Sequence, residues 1–182
     1  MRTWQQYLTE KKNVKYEFSS TQINLPSDLA EDIIKWSKNN IPEDDLYVKD
    51  GEFGREDEIH VTVLYGTHTN DPDDIKKVLE NQKPIKYTLR KISIFSSPDY
   101  DVVKIDVTGK QLHDLNAKLK KNLEHTSTHP VYQPHVTLAY VKKGAGKKYV
   151  GNSKFYGNTI TGKELVFSSE EGLKTKININ HG

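Results

Sequence analysis

A strand-like hexapeptide occurs twice in this chain. His60-Val61-Thr62-Val63-Leu64-Tyr65 returns as His135-Val136-Thr137-Leu138-Ala139-Tyr140, 75 residues later. β-Branched and aromatic residues dominate both stretches, which is the composition of a strand. Strand side chains alternate between faces, so His60 and Thr62 share one side, as do His135 and Thr137. The same alternation sends Tyr65 and Tyr140 away from the histidines. Brought together across a cleft, the two copies place two imidazoles and two neutral hydroxyls around one point, a site suited to a phosphodiester.

What surrounds this repeat bounds the fold. With 182 residues, 34% hydrophobic and 29% charged, the chain reads as one soluble domain rather than two. Residues 1–15, with Trp4, Tyr7 and Leu8 on a polar background, read as an N-terminal segment or leader, and residues 16–182 as a single domain. No apolar run approaches the roughly 20 residues of a membrane helix, and the start lacks a signal peptide's apolar segment. A cytoplasmic location, no membrane and no obligate protein partner are expected. The absence of cysteine removes thiolate catalysis and thiolate metal sites. A formal net charge of +2 decides nothing about nucleic acid, since local clusters matter more.

Along the chain, a strand is expected over residues 16–25, then a helix capped by Ser27 with Leu29, Ile33 and Trp36 inward. Leu46-Tyr47-Val48 suggests a short strand, and Phe53 falls in a glycine-bracketed loop leading to the first motif. Asp71 and Pro72 start a second helix. Residues 85–95 form a strand with a bulge near Arg90-Lys91, returning through Val103, Ile105 and Val107. Thr108 to Gln111 reads as a capping box for a helix buried along Leu112, Leu115, Leu119 and Leu123. A last hairpin is expected over residues 165–179. Helices and strands mix without strict alternation, which predicts an α+β fold with mostly antiparallel sheets flanked by helices, bilobal and pseudo-symmetric about the two motifs.

Breaking a ribonucleotide phosphodiester without a metal takes a base for the 2'-hydroxyl and an acid for the departing oxygen. Imidazole suits both roles near neutrality. His60 and His135 are the candidate acid and base, and Thr62 and Thr137 the candidate donors to the non-bridging oxygens. Candidate substrate-binding residues are Phe53 and Tyr132, for stacking a base, and Lys142 and Lys143 in the basic glycine-rich loop after the second motif. His125 and His129 stand four apart without a third ligand, so neither metal nor cofactor is expected. His113 reads as solvated, His68 as a loop residue, and Trp36 is a further stacking candidate.

These residues resemble the 2H phosphoesterase superfamily, whose mark is two His-x-Thr/Ser-x motifs. Here they are His60-Val61-Thr62-Val63 and His135-Val136-Thr137-Leu138. The resemblance implies a bilobal α+β fold, metal-independent chemistry and the four site residues above. Within the superfamily the chain is most similar to phage anti-CBASS phosphodiesterases, which destroy cyclic oligonucleotide signals of bacterial immunity. That resemblance implies a cyclic di- or trinucleotide as substrate and the host cytoplasm as location. RNA 2',3'-cyclic phosphodiesterases and 2'-5' RNA ligase-like end-processors share the motif pair, and a non-catalytic nucleotide sponge is the alternative of another class.

Overall fold

Strand β1 (Ser19–Asn24) is followed by helix α1 (Ser27–Asn40), the short strands β2 (Val48–Lys49) and β3 (Glu52–Phe53), and the first motif strand β4 (His60–Thr67). Helix α2 (Pro72–Val78), strands β5 (Ile85–Ser96) and β6 (Tyr100–Thr108), helix α3 (Lys110–Asn122) and the second motif strand β7 (His135–Lys142) come next. Strands β8 (Thr159–Gly162), β9 (Glu164–Ser168) and β10 (Lys174–Asn178) follow. This is a computed structural model and describes residues 16–127 and 129–179. The expected leader over residues 1–15 and His181 lie outside the described residues.

Eight strands form one antiparallel sheet in the order β10-β9-β1-β4-β7-β6-β5-β8. The motif strands are therefore central neighbours. They do not face each other across a cleft: they lie side by side, joined by one residue pair, Val61 with Val136. On either side of that joint stands a four-stranded half, which is the expected pseudo-symmetry. Lys163 alone separates β8, at one edge, from β9 in the other half, so the sheet must curl for its far ends to meet. Gly162 marks this closure, since a Cβ there would lie 2.8 Å from Ile23 Cγ2.

One face of the sheet is the core. Ile23, Val61, Val63, Ile105, Val136 and Leu138 are buried there, together with Ile33 of α1 and Leu112, Leu115 and Leu119 of α3. Burying such side chains stabilises by about 1.5–3 kcal/mol each. Helix α1, which follows β1, packs on β7 of the other half, and α3, which follows β6, packs on β4 and β5.

Several local expectations hold. Asp71 caps α2 by accepting from the Asp73 amide at 2.9 Å, the β5 register shifts between Leu89 and Ile92, and β9 and β10 form the last hairpin. Two caps do not. Helix α1 is entered from Pro26, leaving Ser27 inside its first turn with no side-chain cap. Thr108 ends β6, Gly109 stands at the α3 cap, and the Gln111 side chain accepts from the Lys86 amide at 2.5 Å. The Gln111 side chain is taken by the β5 backbone instead of closing a capping box. Strand β8, which pairs with β5, carries a four-residue pattern too short to stand out in the sequence.

Each motif strand carries a bulge at the same place. Gln22 pairs with Thr62 but Thr21 pairs with Leu64, so Val63 is an extra residue; likewise Lys104 pairs with Thr137 and Val103 with Ala139, leaving Leu138 extra. The carbonyls of these extra residues are satisfied from outside the ladder. Asn116 of α3 donates its side-chain amide to Val63 O at 2.7 Å, and the Glu56 amide donates to Leu138 O at 2.9 Å. Beyond the Val61–Val136 joint the strands part, and loops cover their exposed edges. Residues 46–56 bridge to β7 through Leu46–Val141 and Arg55–Ala139, and residues 124–126 bridge to β4 through Thr67–His125.

Candidate active site

The single Val61–Val136 pair fixes the geometry of the motif residues. In antiparallel register it sets His60 level with Thr137, and Thr62 level with His135, all four on the face opposite the two buried valines. Directly opposed strand residues have Cβ atoms about 4.5–5.5 Å apart, so the four side chains form a compact quartet. All four are half-buried.

Both rings are anchored identically. His60 Nδ1 lies 2.6 Å from Glu58 O, and His135 Nδ1 lies 2.7 Å from Gln133 O. A carbonyl only accepts, so each Nδ1 carries the hydrogen and each Nε2 is left for a substrate. This tautomer is the one a general base needs, with its acceptor nitrogen pointing away from the backbone.

The neighbours differ between the halves. Beside His60 and Thr62, β1 presents Asn24 and Gln22. Gln22 donates to Asn24 Oδ1 at 2.7 Å and to Glu58 Oε1 at 2.8 Å. Burial alone would raise the Glu58 pKa, but its hydrogen bond and ion pair with Lys174 hold the carboxyl below the usual carboxylate range. Beside Thr137 and His135, β6 presents Lys104 and Asp106. The Lys104 ammonium, only 7% exposed, donates to Asp106 at 2.5 Å and Ser93 at 2.6 Å and sits 4.1 Å above the Phe95 ring. Phe95 in turn meets His135 edge to face at 5.0 Å. Burial first, then the Lys104 and His60 charges, lower the His135 pKa against the raising effects of the Gln133 carbonyl and Asp106. The neutral form of the His135 ring is thereby favoured.

The bulges overturn the expected orientation of two tyrosines. Ser20 and Gln22 share a face of β1 and pair with Tyr65 and Thr62, so Tyr65 lies on the motif face; Val102 and Lys104 place Tyr140 there in the same way. Phe53, expected in a loop, occupies β3 with φ +70°, and its ring packs on Tyr140 at 5.2 Å and Tyr100 at 5.2 Å. Tyr132 is placed differently from an open stacking ring: its hydroxyl donates to Thr62 O at 2.8 Å and its ring meets His113 at 5.2 Å. Lys142 donates to Asp44 O at 2.6 Å, and Lys143 pairs with the buried Asp101 at 3.7 Å, so the lysine loop is fastened to acidic neighbours. Trp36 packs against Tyr149 and Phe155, away from the motif face. His68 stacks on Phe18 at 5.7 Å and bonds Thr126.

Sequence reasoning missed Lys104, Asp106 and Gln22. Their signal lay in the intervening positions of strands read for their apolar residues: Lys104 and Asp106 alternate with Val103, Ile105 and Val107. Charged residues spaced by two on a strand mark its polar face, and here that face adjoins the second motif.

Two anchored imidazole–hydroxyl pairs on one face of a curled antiparallel α+β sheet define a two-histidine phosphoesterase architecture. The model of the 2'-5' RNA ligase superfamily matches residues 26–150, and the chain belongs to that superfamily. Phosphoesterase chemistry is accordingly its class. Similar solved structures include Escherichia coli LigT in apo form, at 16% identity and TM-score 0.59, covering 90% of this chain and 95% of LigT. LigT complexed with 3'-AMP gives 16% and 0.56 over the same shares. A Thermus thermophilus protein gives 12% and 0.58, over 90% of this chain and 98% of its own. At these identities the likeness is one of fold. A comparison with curated proteins finds no match. Among the described residues no helix is long and apolar enough to cross a membrane.

Proposed function

We propose that this protein is a phosphodiesterase that cleaves the 3'-5' linkages of cyclic di- and trinucleotides of the kind used as bacterial immune signals. The observation that carries the reading is the quartet: both Nε2 atoms and both threonine hydroxyls gathered on one face, with Lys104 beside them. His135 Nε2 takes the proton of the 2'-hydroxyl. The 2'-oxygen then bonds to phosphorus as the bond from phosphorus to the 5'-oxygen breaks, and His60, which enters the step doubly protonated, gives its Nε2 proton to that leaving oxygen and keeps the Nδ1 hydrogen on Glu58 O. The products are a 2',3'-cyclic phosphate and a 5'-hydroxyl. Thr62 and Thr137 donate to the non-bridging oxygens, where charge grows. Both proton transfers use imidazole, so the scheme calls on no metal.

A second reading, RNA end-processing at 2',3'-cyclic phosphates, is favoured by the superfamily match and by LigT having been solved with 3'-AMP. Incubation with cyclic oligonucleotides, linear RNA and 2',3'-cyclic ends in EDTA, read by mass, separates the two. Turnover of the cyclic oligonucleotides alone supports the first; preference for 2',3'-cyclic ends supports the second. Unchanged nucleotide released stoichiometrically on denaturation would mean a sponge. Either His60→Ala or His135→Ala is expected to lower turnover by about 10²–10⁴, with circular dichroism unchanged; retained activity overturns the proposed roles.

A further inference from the structure

The motif face carries two aromatic clusters that the core does not use. Tyr140 is the base of one, with Tyr100 at 5.5 Å and Phe53 at 5.2 Å; Tyr47 lies 5.3 Å from Phe53 and 5.1 Å from Tyr100. Tyr65 is the base of the other, with Phe18 at 5.7 Å and His68 stacked on Phe18 at 5.7 Å. Neither Tyr65 and Tyr140 nor the rings of Phe18, Tyr47, Phe53 and Tyr100 that surround them belong to the hydrophobic core or pack against it. Phe53 is 41% exposed and held at φ +70°, on a hairpin whose Asp50 is also left-handed at φ +55°. A bulky ring that packs on other rings yet stays exposed on a left-handed backbone is well placed to meet a flat ligand.

The clusters are related by the pseudo-symmetry of the motifs. Tyr65 follows Val61 by four residues, Tyr140 follows Val136 by four, and the strands run antiparallel. At about 3.3 Å per residue the two rings start at most about 13 Å from the joint, in opposite directions. The quartet lies between them. His135 stands on the Tyr65 side of the joint, level with Thr62, and His60 on the Tyr140 side, level with Thr137.

We propose that these clusters are two nucleobase subsites flanking the reacting phosphate, so that the site takes an internal 3'-5' phosphodiester with a base on each side. The inference rests on the phosphodiesterase reading and sharpens its substrate class. A terminal 2',3'-cyclic phosphate brings one base and fills one cluster; an internal linkage fills both. With His135 as base, the nucleoside that supplies the 2'-hydroxyl lies on Phe18, Tyr65 and His68. The nucleoside that leaves through its 5'-oxygen lies on Tyr47, Phe53, Tyr100 and Tyr140. Base-on-ring stacking tolerates any base, since each has a π-face.

The test separates binding from turnover. Calorimetry with a 2'-deoxy diadenosine 3',5'-monophosphate, which lacks the attacking hydroxyl, measures the subsites alone. Tyr65→Leu and Phe53→Leu should each weaken binding about fivefold or more, while Tyr65→Phe and Phe53→Tyr, which keep the ring, should bind as the parent does. Turnover of adenosine 3'-methyl phosphate, which has a base only on the attacking side, should fall more with Tyr65→Leu than with Phe53→Leu. Leucine variants that bind like the parent, a parent that does not bind, or Phe53→Leu impairing both probes equally would overturn the proposal. A parent that binds with the expected ring dependence yet cleaves no phosphodiester keeps the subsites and overturns the phosphodiesterase reading instead.

Discussion

At His135 the protonation equilibrium and the fold are linked. Its folded pKa lies below its unfolded value of about 6.5 because burial and Lys104 disfavour the charged ring. Between those two values the unfolded chain binds more protons, so the stability present above about pH 6.5 is lost as pH falls through the folded value. The acid limb of kcat/KM should accordingly fall below the ordinary imidazole pKa. Lys104→Met removes a lowering charge and should move that limb to higher pH, which a pH–rate profile measures; an unmoved limb would separate Lys104 from His135. The sequence made the quartet legible because a repeated pair of polar residues on an apolar strand is conspicuous. Lys104 was not legible, since its meaning depends on β6 lying beside β7, a pairing no local pattern states.

Among the elements, the two bulges carry the most consequence. Without Val63 and Leu138 as extra residues, strict alternation would turn Tyr65 and Tyr140 to the core face. Alternation therefore predicted the histidine–threonine faces correctly and the tyrosines wrongly, because a bulge is set by the partner strand and not by the residue inserted. Asn116 closes the unpaired Val63 carbonyl from α3 and is buried. Asn116→Leu strands that acceptor and should cost about 1–3 kcal/mol, read by urea unfolding, with nucleotide binding weakened as Tyr65 loses its support. Gly66 is the second pressure point. It holds φ +117°, and a Cβ there would lie 2.3 Å from Thr126 O, in the loop that covers the β4 edge. Gly66→Ala should destabilise by at least the roughly 1–3 kcal/mol of a strained backbone, seen as a lowered urea midpoint.

For the whole molecule, the halves resemble each other yet do not stand alone. Helix α1 leans on the half that contains β7, and α3 on β4 as well as β5. In a Trp4→Phe variant, which leaves Trp36 as its tryptophan, urea unfolding followed by far-ultraviolet circular dichroism and by fluorescence should superimpose as one transition; two separated transitions would show the halves to be independent. The α+β class was readable from element order and the pseudo-symmetry from the repeated motif, whereas the side-by-side placement of the motif strands was not, since a single residue pair joins them. The β9–β10 hairpin gives this arrangement a temporal side. It pairs with β1 and supplies Lys174 to Glu58, whose carbonyl anchors His60. On the ribosome, the support of the first histidine thus emerges only after both motif strands, and a nascent chain that already displays both motifs still lacks the sheet that aims them.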